Sequence, residues 1–141
     1  MKRTITQSIR VELSYLMKLN GKPLLNSHAY RVEATICNNS NIGRMMDFED
    51  ISKLLFEAIP TNSFLISTSS EEAELEVAKA LKQFGVPVIV YSEELCTENL
   101  LMLFVKSINQ KLVEYSDSLS SYELVELKLW ETDNYCATYV A

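Results

Sequence analysis

Apolar and polar positions alternate from the start of the chain. Ile5, Ile9, Val11 and Leu13 fall on odd positions among Thr6, Ser8, Arg10 and Glu12. That period of two puts one face of a strand in a core and the other in water. Gly21-Lys22-Pro23 marks a turn or loop. Tyr30, Val32, Ala34 and Ile36 then alternate with Arg31, Glu33, Thr35 and Cys37, predicting a second strand with one wet face. So short a connection favours antiparallel pairing of the two strands. The polar stretch Asn38-Asn39-Ser40-Asn41, with Gly43, reads as a loop.

The period changes at Asp47. Phe48, Ile51, Leu54, Leu55 and Ile59 recur at helical spacing behind an N-cap aspartate, and Pro60 ends the run. Ser69-Ser70-Glu71-Glu72 has capping-box spacing and opens a second helix with Val77, Ala78, Leu81 and Phe84 on one face. Gly85 sits where a left-handed C-cap belongs. Val86 to Tyr91 predicts a short buried strand, and Pro87 puts it at a sheet edge or at its own first residues. A third helix begins near Thr97 and carries Leu100, Leu101, Phe104, Ile108 and Leu112; a polar linker follows from Ser116 to Ser121. Val125, Leu127 and Leu129 alternate with Glu126 and Lys128 in a last strand ending at Trp130-Glu131. The order β-β-α-α-β-α-β predicts an α+β fold, helices on one face of a mainly antiparallel sheet.

Composition narrows the function classes. The 141 residues are 48% hydrophobic and 23% charged, enough for one domain with a real core. A net charge of -6 gives no general attraction to phosphate backbones or anionic lipid, so neither nucleic acid nor a membrane surface is expected as partner. No basic patch is visible. The longest apolar run, Leu100 to Val105, is far short of the roughly 20 residues that span a bilayer. The start of the chain, broken by Gln7, Ser8 and Arg10, does not read as a secretory leader. Cys37, Cys96 and Cys136 are an odd, scattered set, expected as reduced thiols in a cytoplasmic protein.

Four segments in order resemble the 6-pyruvoyl-tetrahydropterin synthase family, which includes the 6-carboxytetrahydropterin synthases. Leu129-Trp130-Glu131-Thr132, followed by Ala137-Thr138-Tyr139, is similar to its closing Glu-Thr…Ala-x-Tyr strand. Gly43-Arg44-Met45-Met46-Asp47-Phe48 resembles its Gly-Met-Val-Met-Asp-Phe helix entry, and Leu95-Cys96-Thr97-Glu98-Asn99-Leu100 its Pro-Thr-x-Glu-Asn-Leu helix opening. Asn26-Ser27-His28-Ala29-Tyr30 lies where the family has His-Gly-His-x-Tyr. Residues 69–91 look like a helix-strand insertion within a single domain spanning 1–141. The resemblance implies the tunnelling fold, a ring of three or six copies with active sites between subunits.

The resemblance also implies a lyase zinc held by three histidines, a catalytic loop cysteine and a later Asp-His pair. This chain has one histidine. His28 matches the second of the His-Gly-His pair and Asn26 the first; the earlier histidine falls at about Leu16 or Met17, the loop cysteine near Lys22 or Pro23, and the Asp-His pair at Pro60-Thr61. One imidazole with Asn and Met is a poor zinc set, so no metal or other cofactor is expected. The base-recognition end carries over. Glu131 matches the glutamate that anchors the pterin ring, and a carboxylate suits the paired N–H donors of a pterin or guanine edge. Thr97 and Glu98 match the helix start near that pocket, although an acid there also suits the helix dipole.

Three functions follow: a homologue without the zinc reaction that keeps a pterin- or purine-like pocket; a metal-free acid–base enzyme on such a heterocycle, with His28 or Glu98 as base; and a non-catalytic structural or partner subunit. His28 also fits a plain strand-start residue, Asp47 an N-cap and Met45 and Met46 core filler. Trp130, alternating with Leu129, faces the other side of the sheet. Tyr135 and Tyr139 fit a subunit seam or plain surface equally.

Overall fold

A computed structural model of the chain describes residues 3–39, 46–117 and 120–141. Gly43, Arg44 and Met45 of the helix-entry motif, and part of each polar loop, lie outside the described residues. Among the described residues the order is β1 (Arg3–Leu19), β2 (Lys22–Asn38), α1 (Phe48–Ala58), β3 (Ser63–Ser67), α2 (Glu72–Phe84), β4 (Val88–Tyr91), α3 (Thr97–Tyr115), β5 (Tyr122–Thr132) and β6 (Tyr135–Val140). The strands form one sheet in the order β4-β3-β1-β2-β5-β6. The contacts β1–β2, β2–β5 and β5–β6 are antiparallel; β1–β3 and β3–β4 are parallel.

The first two strands run further than their alternation shows. They pair from Arg3↔Asn38 to Leu19↔Lys22, so Lys22 and Pro23 belong to β2 and the turn is Asn20-Gly21. Both turn residues have positive φ, 53° and 77°, the conformation that two-residue hairpins need and that Asn-Gly supplies cheaply. Odd residues of β1 (Ile9, Val11, Leu13, Tyr15) and even residues of β2 (Tyr30, Val32, Ala34, Ile36) are buried on one face. Against that face lie Ile51, Leu54 and Leu55 of α1 and Leu100, Phe104, Ile108 and Leu112 of α3.

Asp47 caps α1 as expected, its Oδ1 accepting from the Asp50 amide at 2.8 Å. Gly85 ends α2 at φ 108°. The Ser69 capping box does not form. Glu71 is the N-cap and makes no capping side-chain bond, its carboxylate pairing with Lys18 instead, while Ser69 and Ser70 are engaged with Ser67: the Ser67 amide donates to Ser70 Oγ, and the Ser67 and Ser69 hydroxyls are 2.9 Å apart. The serines close the turn after β3 instead.

Two strands were not anticipated. Ser63–Ser67 is buried at every position, since Leu65 faces the main core while Phe64 and Ile66 pack with Ala78 of α2. A strand covered on both faces has no alternation to read. Helix α2 therefore lies on the opposite face from α1 and α3, at the parallel end of the sheet. The other addition, β6, hairpins back on β5 across Asp133-Asn134. At the far end β4 is an edge strand, as Pro87 suggested, but it is half-buried rather than buried, with Val90 exposed. In β5 a register shift opposite Thr35 and Ile36 puts Leu124, rather than Val125, on the buried face. One extra residue turns the alternation over.

Candidate functional site

Three chain segments meet at one end of the sheet: the β1–β2 hairpin arms, the start of α3 and the β5–β6 hairpin. They line a depression of about 500 Å³ formed by residues including Tyr15, Met17, Asn26, His28, Cys96, Thr97, Glu98, Glu131 and Tyr135.

Glu131 is its centre, continuing the alternation of the buried Leu127 and Leu129 onto the helix-covered face. Register steps from Trp130↔Cys136 to Thr132↔Tyr135, so Glu131 has no partner residue in β6. A strand-end acid would ordinarily be solvated, but the Glu131 side chain is only 22% exposed and each of its oxygens has a close polar neighbour. His28 Nε2 lies 2.9 Å from Oε1, and Thr97 Oγ1 donates to Oε2 at 3.0 Å. Even numbering on β2 brings His28 to this face, and Thr97 arrives as the first, buried residue of α3. The three residues expected around the heterocycle site, His28, Thr97 and Glu131, are thus in direct contact.

Glu98 stands at the rim and does not touch that cluster. Its Oε1 accepts a hydrogen bond from the Tyr135 hydroxyl. This bond lowers the Glu98 carboxyl below its ordinary range and is the main cause that raises the Tyr135 phenol to about 12. The raised phenol stabilises the protonated fold below the ordinary value of 10.0, an advantage lost as pH rises through about 12. Glu98→Gln is expected to return the Tyr135 titration toward 10, read from phenolate absorbance against the other tyrosines. An unchanged titration would mean the contact does not persist in solution. Tyr135 was not expected in a pocket; its only signal was its place just after the Glu-Thr pair, which a two-residue hairpin folds back over α3.

One phenol, that of Tyr15, lines the depression. Tyr15 and Tyr30 are fully buried, and burial raises both hydroxyls above the ordinary tyrosine range. Asn26 Nδ2 donates to Tyr15 Oη at 2.7 Å and lies 3.8 Å from Met17 Sδ. Tyr30 Oη has no hydrogen-bond partner, while the His28 ring meets the Tyr30 ring edge-on at 5.6 Å. Met17, not Leu16, faces this side, since Leu16 packs with the second cluster under α2. Another depression of about 450 Å³, between α2 and the wet face of β1 and β2, includes Glu12, Ser14, Ser27 and Phe64. His28 lines it as well, but its Ser14 and Ser27 hydroxyls bond to each other at 2.9 Å and the His28 imidazole contacts Glu131 in the first depression.

An antiparallel core sheet with two long helices on one face, and a bonded glutamate at its bulged end, defines a chain of the tunnelling-fold class. The sequence profile of the 6-pyruvoyl tetrahydropterin synthase family matches residues 20–141, and the chain belongs to that family. Solved structures agree on the fold. An uncharacterised protein from Wolinella succinogenes superposes with a TM-score of 0.72 at 9% identity, over 99% of this chain and 98% of that one. A catalytic-residue mutant of the Plasmodium vivax 6-pyruvoyltetrahydropterin synthase gives 0.70 at 11% identity over 99% and 97%. The Plasmodium falciparum 6-pyruvoyl tetrahydropterin synthase gives 0.69 at 12% identity over 98% and 96%. No curated protein matches by sequence.

The residues present do not fit a three-histidine zinc. Asn26 is committed to Tyr15, and His28 Nε2 to Glu131. No group of three or more His, Cys, Asp or Glu gathers to hold a metal among the described residues. The three cysteines are free thiols and Cys37 is buried. Among the described residues, no helix is long and apolar enough to cross a membrane.

Proposed function

We propose that this chain binds a pterin- or purine-like heterocycle at Glu131 and does not carry out the family's zinc-dependent lyase reaction. One observation carries the reading: a glutamate in a depression, with His28 and Thr97 against its two oxygens. Each carboxylate oxygen has a second lone pair. The pair can accept the adjacent amino and ring N–H groups of an amino-pyrimidinone edge, as parallel charge-assisted bonds. Thr97 and His28 fix the carboxylate so that little ordering is left to binding. The planar ring would lie among Met17, Leu24 and Leu25, which supply apolar contact. Cytoplasmic location and assembly into a ring of three or six copies belong to the same proposal, supported by the two sheet edges, β4 and β6, that a ring would cover.

Titration calorimetry with a pterin, with and without a chelator, tests it. Saturable binding that the chelator leaves unchanged is expected. Binding only with added zinc, or no binding at all, contradicts the proposal.

The His28–Glu131 contact supports a second reading. A carboxylate 2.9 Å from one ring nitrogen orients the imidazole, the arrangement of a positioned general base. Metal-free acid–base chemistry on the bound ring would use it. If His28→Ala and Glu131→Gln both left every detected activity unchanged, that reading would fall, leaving a non-catalytic binding or partner subunit.

A further inference from the structure

We propose that the wet face of the sheet carries an oxyanion site, for a phosphate or carboxylate group, formed by Arg10, Arg31 and Trp130. The site does not depend on what binds at Glu131. Arg10 and Arg31 are far apart in sequence, which is why no basic patch is visible there, but they face each other directly across β1 and β2. Trp130 faces Arg31 from β5. The three make one row across three strands.

Two like charges directly opposed on a sheet repel. In a chain with six excess negative charges, a carboxylate neighbour would be the ordinary remedy. None pairs with them: among the described residues neither guanidinium has an ion-pair partner. Instead the Arg31 guanidinium stacks over the Trp130 ring, 4.8 Å from its centroid. Stacking fixes the plane of the fork and leaves its N–H edge open. Trp130 Nε1 is itself buried with no hydrogen-bond partner, an orphan donor that ordinarily costs stability.

These groups line a depression of about 290 Å³, where Ala29, beside Arg31 in β2, presents only a methyl group. Glu131 and Asp133 also line it, but Glu131 is turned to His28 and Thr97. Two guanidinium forks that no carboxylate pairs with, one of them held flat against the Trp130 ring, are complementary to an oxyanion. The bound group would relieve the Arg10–Arg31 repulsion.

Trp130 is the chain's single tryptophan, so tryptophan emission reports on this depression. Inorganic phosphate titrated at constant ionic strength and pH 7 is expected to change that emission saturably. Acetate in a parallel arm distinguishes phosphate from carboxylate preference. Arg10→Gln, on the exposed face, is expected to keep the circular dichroism spectrum and weaken the apparent affinity about tenfold or more. Lys128→Gln, two residues along β5 on the same face, is expected to leave the affinity unchanged. A response that never saturates, or one equal in Arg10→Gln and the parent, would overturn the site. So would an emission indifferent to both anions but altered by protein dilution, which would assign the row to contact with a second copy.

Discussion

Glu131→Gln is expected to lower the affinity for a pterin or guanine-type base roughly 100-fold or more, from losing two charge-assisted hydrogen bonds. The exchange keeps the side-chain volume but removes the charge and turns one acceptor into a donor. That donor would point at the N–H edge the carboxylate accepts, so the mutant meets the ligand with repulsion as well as a missing bond. Thr97 Oγ1, which donates to Oε2 at 3.0 Å, and His28 Nε2, 2.9 Å from Oε1, would also lose the charge they face. Calorimetric titration beside the parent protein measures the loss, with thermal unfolding as a check on the fold. An affinity within twofold of the parent would show that Glu131 is only a satisfied strand-end acid.

The largest stability effect is expected at Phe104. It sits midway along α3, is 1% exposed, and belongs to the cluster joining α3, α1 and the buried sheet face. Phe104→Ala should cost about 3–5 kcal/mol, the transfer term plus the cavity left in packing that relaxes only partly. Against a typical total of about 5–15 kcal/mol, that loss moves the denaturant midpoint far. Met102, two residues away and 52% exposed, is the comparison: Met102→Ala should stay within about 0.5 kcal/mol. Equal midpoints for the two mutants would mean that α3 does not pack on the sheet as described.

Much of this architecture can be read from local pattern. The alternation of β1 and β2, the Asp47 cap, the Gly85 stop and the start of α3 at Thr97 are each set by residues close in sequence, and each holds in the structure. What escapes is non-local. Ser63–Ser67 lacks alternation because α2 covers the face that the other strands leave open, a consequence of tertiary packing alone. The side of the sheet that α2 occupies depends on the same strand, and so was not legible either. Bulges are equally hidden: Val125 reads as core until a register shift gives the place to Leu124.

The candidate site divides in the same way. Glu131, Thr97 and His28 stand out through the resemblance, and the structure brings them into contact. Glu98 was placed near the pocket but bonds to Tyr135 at its rim, a pairing that depends on the β5–β6 hairpin. The Tyr15–Asn26 bond follows from strand register, Tyr15↔Asn26, which periodicity alone cannot give. Arg10, Arg31 and Trp130 were each visible, yet only the pairing of three strands makes them neighbours.

The central claim is that this pocket keeps base recognition while its residues no longer make a zinc site. Zinc content after the purified protein is loaded with zinc and dialysed tests that most directly. The account predicts far less than one zinc per chain, because His28 is held by Glu131 and the neighbouring positions carry Asn26 and Met17. One zinc per chain, retained through dialysis and lost in His28→Ala, would contradict it and return the family's lyase reaction to this protein.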